Sequence, residues 1–231
     1  MRVSRPSNQR TISIGGLLGT AAAYFDVDGT LVDTTLLHPT ILFLANQATP
    51  WRSAARIGRA LMRAPAMAAA ELRDRRLFNE MLFYNYEGMS EDRIMVLAEE
   101  AYEEIVKPRI FRGARDLIAK CKAAGQRVVL ITGSLDVTID PLAEELGADH
   151  VITNRLEFRD GVATGRLLRP VVAGPTKARL IVADAKEHGH DLAECSAFSD
   201  SYSDVAMLSV VGHPACINPD NRLRRLAAAY D

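Results

Sequence analysis

Tyr24-Phe25-Asp26-Val27-Asp28-Gly29-Thr30-Leu31-Val32 sets two carboxylates at the end of a short apolar run that begins at Ala21. A small, apolar lead-in of this kind predicts a core strand ending near Asp26. In an open parallel sheet, ligands bind just beyond the carboxyl ends of the strands, so chemistry is expected here. Gly29 lets the backbone turn sharply and approach a ligand closely. Two acids at i and i+2 can divide labour: one binds a cation and attacks, while the other handles protons. The plain alternative is a turn after a strand, where Asp and Gly are common.

Working outward, Val128-Val129-Leu130-Ile131 is a continuous apolar run, as expected of a strand covered on both faces, and it ends in Thr132-Gly133-Ser134. Ala197-Phe198-Ser199 ends in Asp200-Ser201-Tyr202-Ser203-Asp204. Further strands are expected near 151–153 and 215–217. Helices are expected over 112–124, 137–146 and 176–187, and from Asp220 onward. Strands alternating with helices imply a doubly wound α/β domain, three layers with a parallel sheet in the middle. The reactive residues then share one rim, although they span nearly the whole chain. Asp26, Asp200 and Asp204 supply hard oxygen ligands that suit Mg²⁺, an ion content with a few carboxylates, water and a phosphate oxygen. Thr132 and the backbone around Gly133 and Ser134 can donate to phosphate. Lys177, at a helix start behind Gly174-Pro175, would offset the negative charge. Singly, Thr132 reads as a cap and Lys177 as a surface lysine; together, in this order at strand ends, they read as a phosphoryl-transfer site. Leu156-Glu157-Phe158 and Val162-Ala163-Thr164 flank Arg159-Asp160-Gly161, a hairpin signal.

The 231 residues are 48% hydrophobic and 25% charged, with a net charge of −1, ordinary values for a soluble globular protein. That charge gives no reason to expect nucleic acid as a partner, and no apolar run is long enough for an integral membrane segment. Cys121, Cys195 and Cys216 are scattered in apolar surroundings, which suggests reduced thiols and a cytoplasmic setting. Residues 1–19 combine arginines with glycine-interrupted apolar stretches; a flexible tail is expected there rather than a cleaved leader, because cleavage would remove most of the strand bearing Asp26. Residues 37–107 turn helical. Arg52, Arg56, Arg59 and Arg63 fall on one face of a helix that Pro65 should break or kink. A solvated face is the favoured reading of that row, ahead of one meeting an anionic membrane or a partner. A second helix is expected over 68–86, and a third behind the cap Ser90.

The motifs taken together resemble the haloacid dehalogenase superfamily of phosphohydrolases, on its phosphoserine phosphatase-like branch. Residues 24–32 match its first motif, 129–134 its second, Lys177 its lysine motif and 199–204 its acidic fourth motif. The resemblance implies a catalytic core over 20–36 and 108–231, with a helical cap over 37–107 inserted after the first strand. It implies Asp26 as nucleophile, Asp28 as acid and base, and a small phosphorylated metabolite as substrate. By the same resemblance Mg²⁺ would be held by Asp26, the Asp28 carbonyl and Asp200, with Asp204 acting through water or from behind. Thr132, Gly133, Ser134 and Lys177 would hold phosphate. Thr35 stands where the phosphoserine enzymes carry an acid for the substrate amine, so phosphoserine itself is the alternative substrate. A signalling receiver is disfavoured by Asp28 and the long insert. A non-catalytic binding module is disfavoured because no catalytic position is missing. Oligomeric state is left open.

Overall fold

The computed structural model of the chain describes residues 21–46 and 49–229. The expected tail over 1–19 and the Arg52 side chain lie outside the described residues. In chain order the strands are β1 (Ala22–Phe25), β2 (Arg127–Leu135), β3 (His150–Asn154), β4 (Leu156–Arg159), β5 (Val162–Leu167), β6 (Ser196–Ser199) and β7 (His213–Cys216). Five of them form one all-parallel sheet in the order β3-β2-β1-β6-β7, and β4 pairs with β5 alone. β1 is therefore central. The chain winds from it towards β3 and later returns to its other side, creating a topological switch point at its carboxyl end.

Each central strand is buried on both faces, and its alternate residues feed two different cores. Ala23, Phe25, Val128 and Leu130 pack with Ile118 and Leu142 on one side. These last two belong to α5 (Arg112–Ala123) and α6 (Asp136–Leu146). Ala22, Tyr24, Val129 and Ile131 pack on the other side with Ile181, Met207 and Leu223. Those come from α7 (Pro175–His188), α8 (Val205–Leu208) and α9 (Asn221–Ala227). The expected three-layer, doubly wound α/β architecture is what forms. Asp160 and Gly161 both have positive φ, 51° and 71°, the backbone that a two-residue hairpin turn requires.

Between β1 and β2 the chain forms α1 (Leu37–Ala45), α2 (Pro50–Arg73), α3 (Arg75–Phe83) and α4 (Glu91–Ala101). One sequence expectation fails here and one is narrowed. Helix α2 runs on through Pro65 for 24 residues, so the break allowed for at that proline does not occur. The carbonyl that Pro65 leaves without its helical partner belongs to Leu61, which is 67% exposed, so water can satisfy it. The helix expected over 68–86 is instead divided at Asp74. This residue adopts extended backbone, and its carboxylate accepts from the amides of Arg76 (2.8 Å) and Leu77 (3.4 Å), capping α3. Ser90 caps α4 as expected. The β4–β5 hairpin, though it follows β3 in sequence, joins the insert: the Ala163 amide donates to the Met89 carbonyl and the Gly88 amide to the Ala163 carbonyl, each at 2.8 Å. Leu156, Ala163 and Leu167 share an apolar core with Phe43, Leu82 and Leu97. Among the described residues no helix is long and apolar enough to cross a membrane.

Candidate active site

The turn after β1 is built around one carbonyl. The amides of Thr30, Leu31 and Val32 all donate to Val27 O, at 3.2, 2.8 and 3.1 Å. This tight loop needs positive φ at Gly29 (81°), and a Cβ there would stand 2.2 Å from Asp200 Oδ2. Glycine thus brings the first acidic motif against the fourth. Asp26 extends the ladder, its amide donating to Phe198 O at 2.9 Å, so its side chain emerges at the carboxyl ends of β1 and β6.

Lys177, in the first turn of α7, donates from Nζ to Asp26 Oδ1 and to Asp204 Oδ2, both at 2.6 Å. Ser199 Oγ adds a donor to the same Asp204 oxygen at 2.9 Å. All three charged groups are nearly inaccessible, with Lys177 at 5%, Asp26 at 6% and Asp204 at 3% exposure. Burial disfavours the Lys177 ammonium, but Asp204 and Asp26 more than offset this and raise its pKa. Asp26 rises to about 7, chiefly through burial, with Lys177 opposing and the Asp204 and Asp200 carboxylates adding to the rise. Asp200 rises to about 6, again mainly through burial; its own backbone hydrogen bond opposes this and Asp204 reinforces it. One ammonium cannot neutralise three converging carboxylates. The site is short of positive charge.

Asp28 has different partners. Its Oδ1 accepts from Thr34 Oγ1 at 2.7 Å. Its Oδ2 accepts from Ser134 Oγ at 2.8 Å and from Thr132 Oγ1 at 3.5 Å. Ser134 is buried and reaches Asp28, while Thr132 and Gly133 line the cleft together with Asp26, Asp28, Lys177, Asp200 and Asp204. All the residues singled out in the sequence therefore converge. The cleft measures about 310 Å³.

Sequence reading missed the side chains that the insert contributes. Glu71, Arg75, Phe78 and Asn79 line the same cleft. Asn79 is 1% exposed; its Nδ2 donates to Val172 O at 3.4 Å, and its Oδ1 has no partner among the described residues. A Cβ on Gly133 would come within 2.7 Å of that Nδ2, so glycine lets the insert close against the second motif. Asn154 supports the same place, its Nδ2 donating to Gly133 O at 2.7 Å. No local pattern marks Arg75 or Asn79. The sequence does carry Thr34, in the turn that bears Asp28. The arginine row also reads differently in three dimensions. Arg56 Nη1 donates to Asn85 O at 2.7 Å, and the Arg63 guanidinium lies 4.5 Å from the centroid of the Tyr84 ring, so these two arginines bind the insert together instead of forming a solvated face.

Four acids and a lysine gathered at the switch point of a doubly wound sheet define an α/β enzyme of the group-transfer kind. The model of the haloacid dehalogenase-like hydrolase family matches residues 23–209. The chain belongs to that family, and its relatives place it among the phosphatases on the phosphoserine phosphatase-like branch. It is 35% identical over 209 residues to phosphoserine phosphatase SerB1 of Mycobacterium tuberculosis, covering 90% of this chain and 68% of that protein. Among solved structures, a Bordetella pertussis Tohama I protein of unknown function superposes with a TM-score of 0.77 at 25% identity, covering 91% of this chain and 95% of that one. A phosphoserine phosphatase in its apo form superposes with a TM-score of 0.65 at 20% identity, covering 88% and 89%, a likeness of fold.

Proposed function

We propose that the chain hydrolyses a small phosphomonoester by way of an aspartyl-phosphate on Asp26, with Mg²⁺ as its metal. The observation that carries this reading is the separate handling of two acids two residues apart. Asp26 is gripped by Lys177 at 2.6 Å, while Asp28 is held by the hydroxyls of Thr34 and Ser134. Asp26 Oδ attacks phosphorus as the bond from phosphorus to the ester oxygen breaks. Asp28 gives its proton to the departing alkoxide. Asp28 then takes a proton from water, whose oxygen attacks the same phosphorus. The bond from phosphorus to Asp26 breaks, releasing phosphate and restoring the carboxylate. Lys177 keeps Asp26 in place and offsets charge on the phosphoryl oxygens, and Thr132 and Gly133 face the same group.

The surplus of carboxylates fits a divalent cation. Mg²⁺ keeps several waters and accepts main-chain as well as carboxylate oxygen. Asp26, Asp200 and the Asp28 carbonyl would hold Mg²⁺, which supplies charge neutralisation at the phosphoryl oxygens. Asp204, committed to Lys177 and Ser199, would support them from behind. Residues 37–107 would act as the cap, excluding bulk water and selecting the alcohol. In this reading 20–36 and 108–231 are the catalytic core, apart from the β4–β5 hairpin that packs with the cap.

The test is turnover of a generic aryl phosphomonoester by the purified chain. It should require Mg²⁺, stop on chelation, and fall by several orders of magnitude in Asp26→Asn, which keeps the size of the side chain and removes the nucleophile. An Asp26→Asn sample free of deamidation that retains activity within tenfold of wild type refutes the assignment.

A further inference from the structure

Resting on the hydrolase reading above, we infer that the alcohol half of the substrate carries a hydrocarbon chain, held in a groove of the insert beside the phosphate cleft. The groove runs between α1 and α2. Leu37 and Ile41 wall one side, Leu61 and Ala64 the other, and Phe78 and Leu82 contribute from α3. Among the described residues its lining is apolar apart from Thr40, Asn85 and Glu71. Two of these are already engaged: Thr40 Oγ1 donates to Leu36 O at 2.9 Å and Asn85 Nδ2 to Leu82 O at 2.8 Å. Glu71 is paired with Arg75 at 2.9 Å. A polar ligand would find little to bond with here, whereas a methylene chain would lose nothing.

Position and size both point to a chain attached to the phosphate ester. Leu37, Glu71 and Phe78 line the groove and the catalytic cleft alike, so the two spaces adjoin across a single layer of side chains. A substituent leaving the cleft over that rim enters the groove directly. The groove holds about 330 Å³. At roughly 30 Å³ for a water-sized group, that is room for on the order of ten methylenes. Ile41 and Leu61 are 62% and 67% exposed, apolar surface left facing water beside an active site. This kind of recess selects by burial and discriminates weakly between individual chain lengths, so the substrate class is an alkyl or acyl-bearing phosphomonoester.

The experiment uses n-alkyl phosphonates, ethyl to octyl and below their micelle-forming concentrations, titrated into the full chain with Mg²⁺ by calorimetry. Hydrolysis of the matching n-alkyl phosphates is measured in parallel. Burial of one methylene strengthens binding by about fourfold, which is ~0.8 kcal/mol. Kd and KM are therefore expected to fall at least tenfold from ethyl to octyl, with kcat changing by less than about twofold. Ala64→Phe, which fills the groove from the α2 side, should flatten the series to under about threefold while leaving ethyl phosphate turnover unchanged. Chain-length-independent Kd in the wild type overturns the inference even if the chain hydrolyses every ester. An unaltered series in Ala64→Phe overturns the groove as its location. Chain-dependent phosphonate binding without turnover of any ester upholds the groove and overturns the hydrolase reading instead. A dimer in light scattering that Ala64→Phe dissolves, with alkyl length without effect, would assign the groove to a second copy of the chain and overturn the inference.

Discussion

Lys177→Met removes the one ammonium between Asp26 and Asp204 and keeps most of the apolar stem. Both contacts are 2.6 Å long, and all three side chains are at least nine-tenths buried. Deleting one member of a buried ionic group strands the others, which typically costs about 3–5 kcal/mol. For a chain of this size, with a urea slope of roughly 2.5 kcal/mol/M, the metal-free unfolding midpoint should fall by about 1.5 M at pH 8. The loss should shrink at low pH, and the sign follows from Asp26. Its pKa is already raised to about 7, because burial and the neighbouring carboxylates disfavour its charge. Without Lys177 that pKa rises further, so protonation relieves the stranded pair below pH 7. Urea melts of wild type and variant at pH 8 and pH 5.5 measure both effects. A midpoint shift below about 0.3 M at pH 8, or a shift that grows on acidification, would refute the view that Lys177 compensates buried charge.

Three further outcomes follow from the same geometry. Because the folded pKa of Asp26 lies at about 7 and that of Asp200 at about 6, protons bind the metal-free folded state more tightly than the unfolded one. Their stabilisation is complete below about pH 4 and is lost as pH rises through 6 to 7. For Asp26 this amounts to at most about 4 kcal/mol. Urea midpoints of wild type and Asp26→Asn compared across pH 5 to 8 isolate that slope, and parallel curves would contradict it. Gly29→Ala forces a Cβ to 2.2 Å from Asp200 Oδ2 at a φ of 81°, so turnover should drop by at least tenfold while the far-UV spectrum stays native; near-normal turnover would sink the close-approach argument. Arg56→Ala loses the 2.7 Å bond to the Asn85 carbonyl, worth about 1–2 kcal/mol, and should lower Tm by about 4 °C. Arg59→Ala, on an exposed residue, should stay within about 0.5 kcal/mol of wild type. Equal losses in the two would restore the solvated-face reading.

Much of the core was legible because its signals are local. The apolar lead-in to Asp26, the apolar run of Val128 to Ile131 and the acids just beyond Phe25 and Ser199 are all written in neighbouring positions. The caps Ser90 and Asp220 and the Asp160-Gly161 turn are equally local, since each satisfies backbone groups only a few residues away. Asp74 carried the same kind of signal and was overlooked beneath the stronger helical pattern around it. Pro65 shows the limit of a local rule: its effect depends on whether the freed carbonyl is exposed, and burial is not a property of sequence spacing.

By itself the sequence determined the strand-and-helix alternation, the strand ends that carry Asp26, Asp28 and Asp200, and the helical character of the insert; the strand expected to stop at Thr132 instead runs on to Leu135, with a break in its pairing register after Ile131. Only the tertiary structure decided that Asp204 answers Lys177, that Ser134 and Thr34 hold Asp28, and that Asn79 and Arg75 come down from the insert onto Gly133 and the acids. It also decided that the hairpin after β3 joins the insert's core. The physical reason is range. Backbone hydrogen bonds and the periods of helix and strand are fixed by residues within one or two turns, so they leave a readable pattern. A side chain's partner across 50 or 150 residues is chosen by packing and charge neutralisation in the folded chain, and no periodicity records that choice.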